Sequence, residues 1–211
     1  MAELEIFGVP FSNYVWSCRI VAGEKGVPVK LHDLRPQSPE MLAINPLGKV
    51  PAMRHGDVVL FESAAICSYI DKAFPGPALQ PKDPAGAARV DQWVSVVNTS
   101  IDPVMLRQYG LGYFFPGTPD GSPDRVKIDA ALLALKKMFG ILEARLGQSK
   151  FLAGDQFSIA DAILFPVLFY MKRPPESAAL LVASPHVAAW LETVGARASV
   201  KAAAPPPPPK K

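Results

Sequence analysis

Residues 45–70 read NPLGKVPAMRHGDVVLFESAAICSYI, and the fold turns on how this stretch is read. Apolar and β-branched residues make short strands of Val50–Arg54 and Val58–Phe61, joined by His55-Gly56-Asp57, a composition suited to a tight hairpin. Ser63 opens a helix directly after the second strand, and that helix runs to about Phe74. A proline entering a strand, as Pro51 does, is unusual inside a sheet. With a cis Val50–Pro51 bond, Val50 would turn its N–H and C=O outward rather than pair them within the sheet. An extended peptide could then add there as a further strand. The alternative is an ordinary edge-strand proline.

Upstream, Leu4 and Ile6 alternate with Glu3 and Glu5 as in a half-buried strand, which Gly8-Val9-Pro10 ends. A helix is expected from about Asn13 to Gly26, its stop signal, followed by a strand over Val27–Leu34. Pro36–Asn45 reads as a loop carrying a short helix. The order βαβαββα with a right-handed crossover gives one small mixed sheet of four strands. Downstream the character becomes helical, over 85–110, 123–147, 159–171 and 185–198. Ile128, Leu132, Leu135, Phe139, Leu142 and Leu146 form a stripe spaced by three and four, as on a helix facing a bundle core. Pro166 is expected to kink the apolar helix that contains it. The chain therefore divides into an α/β domain at 1–76, a linker at 77–84, an all-α bundle at 85–199, and a disordered Pro/Lys-rich tail at 200–211.

Hydrophobic residues make up 49% of the 211 and charged residues 19%, which suits a packed globular protein. The net charge of +3 comes from Lys201, Lys210 and Lys211, so residues 1–200 balance and no basic surface for nucleic acid is indicated. No apolar run is long enough to span a bilayer, and the acidic N-terminus MAELEIFG does not read as a signal peptide. A cytoplasmic location is expected. Cys18 and Cys67 form neither a disulfide framework nor a metal site, and the absence of CxxC excludes dithiol redox chemistry. Both fall inside helices and read as buried structural thiols.

Two further features carry chemistry. In Gly8-Val9-Pro10-Phe11-Ser12-Asn13, Ser12 sits at a helix N-terminus, where free N–H groups and the macrodipole favour negative charge. It also reads as a plain N-cap. In Phe61-Glu62-Ser63, the Ser63 hydroxyl and N–H suit a carboxylate and Glu62 suits an ammonium, so the pair matches the two charges of an α-amino acid.

NPLGKVP, FESAAICSYI and EKGV after the first helix, in this order and spacing, make residues 4–74 resemble the N-terminal, thioredoxin-like domain of cytosolic glutathione transferases. Phe151–Asp161 resembles the capped core helix of the same family, with Ser158 as N-cap and Asp161 closing a capping box. The likeness extends to about Ser199 and is nearest to the serine-type, phi-like members. It implies a detoxifying transferase with glutathione as co-substrate, no permanently bound cofactor and no metal, a small hydrophobic electrophile as second substrate, and a homodimer. Val50, before Pro51, would pair with the cysteinyl backbone; Glu62 and Ser63 would hold the γ-glutamyl end; Lys49 and Asn13 would contact the tripeptide. Ser12 would hydrogen-bond the sulfur. Tyr14, Asn13 and Ser17 are its alternatives. A hydrophobic second-substrate site would draw on Phe11, Tyr109, Tyr113 and Phe114, with Phe115 alongside.

Lowering a thiol pKa by about two units requires roughly 2.7 kcal/mol of preferential thiolate stabilisation. A hydrogen bond to a charged partner supplies roughly 1.5–3 kcal/mol and a helix end about 0.3–1 kcal/mol. Ser12 at a helix mouth is therefore sufficient. Two departures are marked: the loop carrying Ser12 is longer than in those relatives before the helical Arg19, and phi-like sequences carry His-Lys where this chain has Pro36-Gln37, at the place expected to hold the glycyl carboxylate. That change and the polyproline tail keep open a non-enzymatic ligand-binding or interaction relative; peroxide reduction and isomerisation are alternative glutathione chemistries.

Overall fold

The computed structural model describes residues 2–206, and the chain divides into two compact units. The first takes the described residues up to Lys82 together with those from Gly195 onward; the second is Asp83–Val194. The first contains β1 (Leu4–Phe7), α1 (Asn13–Glu24), β2 (Val29–His32), α2 (Pro39–Leu42), β3 (Ala52–His55), β4 (Val58–Phe61) and α3 (Ser63–Ala73). The strands form one sheet in the order β2-β1-β3-β4, with β1 and β2 parallel and the other pairs antiparallel. The register sets Phe7 opposite both His32 and Ala52, and Ala52 opposite Phe61. Consequently the C-terminal ends of β1, β2 and β4 and the N-terminal end of β3 all lie at one end of the sheet.

Strand alternation places Leu4 and Ile6 in the core, while Phe7 packs with Met41 of α2 and Ala52 of β3. Gly26, at φ +66°, follows the end of α1 in the left-handed conformation that suits glycine there. Lys25 is buried and its Nζ donates to Asp71 Oδ1 at 3.1 Å and to the Pro77 carbonyl at 2.9 Å. Asp71 also accepts the Leu79 N–H at 2.9 Å. The segment after α3, read from composition as a bare linker, is thus tied back to the unit by a buried ion pair.

The second unit holds one long helical run. It starts as α4 (Pro84–Val96), passes through π-helical turns at Val97–Ile101 and Pro103–Gly110, and ends as α5 (Leu111–Phe114). After it come α6 (Arg125–Leu146), α7 (Ile159–Tyr170), α8 (Pro175–Val182) and α9 (Pro185–Gly195). The apolar stripe on α6 is where periodicity placed it, with Ile128, Leu135, Phe139, Leu142 and Leu146 buried. Asp161 of α7 accepts the Ser158 N–H and hydroxyl at 3.0 and 2.7 Å, the Leu152 N–H at 2.9 Å and the Trp190 indole N–H at 3.0 Å. Burial raises its carboxyl above the ordinary value, against the pull of these four donors.

The C-terminus differs from the expectation. Residues 198–202 form α10 (Ala198–Ala202), which packs on α1 in the first unit and neither extends the helical bundle nor begins a disordered tail. Gly23 lacks a side chain, and a Cβ there would lie 3.1 Å from Ser199 Cβ. Arg197 donates to Glu24 Oε1 and Oε2 at 2.7 and 2.6 Å, the Ser199 hydroxyl bonds the same carboxylate, and Val200 is buried. The rest of the expected tail, 207–211, lies outside the described residues. Among the described residues no single helix is long and apolar enough to cross a membrane.

Candidate active site

Continuing the register past the strand ends gathers four segments at one edge of the sheet. Beyond Phe7 come Gly8 to Ser12; beyond Phe61 come Glu62 and Ser63; before Ala52 stand Val50 and Pro51; beyond His32 the chain runs to Gln37. Gly8 allows the central two to meet. At φ +147°, a Cβ there would lie 2.6 Å from Val15 Cγ2 and 2.9 Å from Val50 Cβ, so any side chain would push α1 and the Val50 segment apart. Gly8 was read from the sequence only as a strand breaker; its tight contacts appear only once β1, α1 and the residue-50 segment are assembled.

Ser12 is the N-cap of α1, and its Oγ accepts the Val15 N–H at a long 3.4 Å. The two readings of Ser12 are therefore compatible: capping uses a lone pair, and the hydroxyl proton remains to donate elsewhere. No acidic residue occupies the first turn of α1, so the positive end of its dipole is uncompensated by the helix itself. Asn13 is buried and Tyr14 half-buried. Ser17 is fully buried with its hydroxyl donated to the Asn13 carbonyl at 2.9 Å, which removes it as a sulfur partner.

The Val50–Pro51 bond is cis. Val50 lies outside the β1–β3 ladder, which begins at Ala52, and among the described residues no group takes up its N–H or C=O. The turn before it is built by Asn45, whose Oδ1 accepts the Leu47 N–H at 3.0 Å and whose Nδ2 donates to the Lys49 carbonyl at 2.8 Å. The Lys49 side chain is exposed. Glu62 adopts φ 70° and ψ 116°, an uncommon conformation for a residue with a side chain. It stands exposed beside Ser63, the first residue of α3, which is buried.

Gln37 is the second non-glycine residue with positive φ, at 64°. Its N–H donates to the Gly48 carbonyl at 2.8 Å and its Nε2 to the Leu47 carbonyl at 3.0 Å, which straps the loop before α2 to the approach to Val50.

Comparison with known proteins fits this arrangement. Residues 6–78 match the family model described as "Glutathione S-transferase, N-terminal domain", and residues 126–193 match "Glutathione S-transferase, C-terminal domain". Glutathione S-transferase 3 of Zea mays is 37% identical over 213 residues, covering 93% of this chain and 91% of the relative. The chain belongs to the glutathione S-transferase family. Among solved structures, glutathione S-transferase III in apo form superposes with a TM-score of 0.88 at 34% identity, covering 100% of both chains. Glutathione S-transferase I from mais, in complex with an atrazine glutathione conjugate, gives a TM-score of 0.85 at 32% identity over 96% of each chain.

The transferase does not present all the residues expected to meet a second substrate. Tyr109 is 0% exposed; its hydroxyl donates to Glu176 Oε2 at 2.9 Å and accepts the Ser177 N–H at 3.1 Å. It is a packing residue, and burial pushes its phenol far above the ordinary value. Tyr113 donates to the same carboxylate oxygen at 2.5 Å and accepts from Arg125 at 2.9 Å. Tyr113 and Phe114 are helical, on α5. The Phe114 ring lies 5.9 Å from that of Tyr170. Phe11 and Phe115 are 57% and 68% exposed. Cys18 and Cys67 are buried with their sulfurs 3.9 Å apart, and the Cys18 thiol, pushed up by burial and by Cys67, makes a poor nucleophile.

Proposed function

We propose that this transferase joins the thiolate of glutathione to hydrophobic electrophiles, with Ser12 holding the sulfur. The observation that carries this reading is the hydroxyl of Ser12 at the mouth of α1, on the same sheet edge as Val50, Glu62 and Ser63. Val50 offers the cysteinyl residue a backbone N–H and C=O. Ser63, at the first turn of α3, receives the γ-glutamyl carboxylate, and Glu62 its ammonium; Asn13 and Lys49 complete the contacts. The solved relative from mais that carries an atrazine glutathione conjugate supports the same chemistry. Phe11, Phe114 and Phe115 remain the aromatic candidates for the second substrate. We read the enzyme as cytoplasmic and homodimeric, as the family resemblance implies.

With an aryl halide the balance is simple. The glutathione thiol loses its proton to solvent, and the resulting thiolate keeps a hydrogen bond from Ser12. A carbon–sulfur bond forms at the ring, and the carbon–halogen bond breaks to release halide. Ser12 donates a hydrogen bond throughout and forms no covalent bond.

Removing one hydrogen bond to a charged sulfur costs roughly 1.5–3 kcal/mol, or about 10- to 100-fold in kcat/KM. Ser12→Ala is expected to show that loss with chlorodinitrobenzene, and the ultraviolet thiolate absorbance of bound glutathione should titrate at higher pH. Wild-type turnover in this variant would remove Ser12 from the role.

A further inference from the structure

We propose that this transferase does not select for a free carboxylate at the C-terminal end of its thiol substrate, so that neutral glutathione esters and amides serve nearly as well as glutathione. The inference rests on the orientation given above, with the γ-glutamyl end at Glu62-Ser63 and the cysteinyl residue at Val50. In the strand order β2-β1-β3-β4, Glu62 and Ser63 continue β4 on one flank of Val50. The third residue of an extended tripeptide therefore points to the other flank. There the loop that follows β2, residues 33–38, is strapped to Leu47 and Gly48.

That flank offers an anion no charged side chain held in place. Pro36 and Pro39 have no N–H. The Gln37 N–H is taken by the Gly48 carbonyl, and the Ser38 N–H by the Arg35 carbonyl at 3.2 Å. The Gln37 side chain carries no charge, and one of its two Nε2 hydrogens goes to the Leu47 carbonyl. It is held directly over Gly48: a Cβ at Gly48 would lie 2.6–2.8 Å from its amide atoms. Ser38 Oγ caps α2 by accepting the Met41 N–H, which leaves its hydroxyl proton as a neutral donor, and Glu40 in the first turn adds negative charge. The nearby cations are Arg35 and Lys49, both on exposed side chains. An exposed ion pair changes binding by at most about fivefold, whereas a positioned, charge-assisted hydrogen bond gives about 10- to 100-fold.

The test compares kcat/KM of the full chain toward chlorodinitrobenzene with glutathione and with its glycyl monoethyl ester. A ratio within about fivefold is expected, and a larger ratio overturns the proposal. The Gln37→Lys variant restores a cation at a backbone position that already holds φ 64°, so it adds no new backbone demand. It should raise the preference for glutathione severalfold, chiefly through KM, and an unchanged ratio overturns the role given to Gln37. Turnover with glutathione alone sinks only this inference. Absence of turnover with either thiol sinks the functional reading beneath it.

Discussion

At Glu62 the backbone and the side chain make opposite demands. Its φ of 70° with ψ 116° costs a side-chain-bearing residue roughly 1–3 kcal/mol, and glycine would hold it more easily. The proposed hold on the γ-glutamyl ammonium gives a reason for a carboxylate at that position. Glu62→Gly should therefore melt higher, by a net gain of about 1 kcal/mol once the greater chain entropy of glycine is subtracted, while KM for glutathione rises. A lower melting temperature would show that the conformation carries no strain. Glu62 and Ser63 were legible because a strand, an acid, a serine and a helix follow one another in the chain. Gln37 was legible only as a departure from relatives. Its engagement with Leu47 and Gly48 depends on backbone conformations that no side-chain pattern announces.

Elements whose signals are local and strong agree closely with the sequence reading: β4 and the start of α3 fall at the expected residues, and Gly26 follows the end of α1. The helix α8 was missed because Pro174-Pro175 reads as a break, although proline is well suited to the first turn of a helix and stands there in α8. Tyr109, 0% exposed, was misread as a second-substrate residue because its partner is remote in the chain. Nothing in the sequence near Tyr109 or Tyr113 announces Glu176, the acid across the packing that receives both hydroxyls. Burial opposes ionisation of Glu176, yet donation from Tyr113, Arg125 and Tyr109 holds its carboxyl down at about 2. Because the folded value lies below the unfolded one, the stabilisation is present above the ordinary carboxylate range and is lost as pH falls toward about 2. Glu176→Gln should therefore be less stable than wild type at neutral pH. The gap in melting temperature should close on acidification between about pH 5 and 2; a gap independent of pH would exclude the ionised clasp.

At the scale of the molecule, the first unit is discontinuous in sequence, since α10 returns after the whole second unit to cover α1. Burial of Val200 alone accounts for roughly 1.5–3 kcal/mol, before the Arg197–Glu24 contact is counted. A chain ending at Val194 should melt at lower temperature and bind a hydrophobic dye through the uncovered face of α1, and an unchanged melt would show that α10 is dispensable. Composition placed the boundary of the helical part at 199 because helices follow one another to that point. The reason for the true partition lies in Gly23 and Glu24, far upstream, and long-range pairing of this kind leaves no periodic trace. The returning helix also sets an order of events during synthesis. Every segment of the proposed glutathione site leaves the ribosome before the second unit, whereas the helix that closes its domain leaves after it. The nascent N-terminal unit must wait, with α1 uncovered, until the second unit has been made. A ribosome stalled anywhere in the second unit therefore leaves an unfinished first unit.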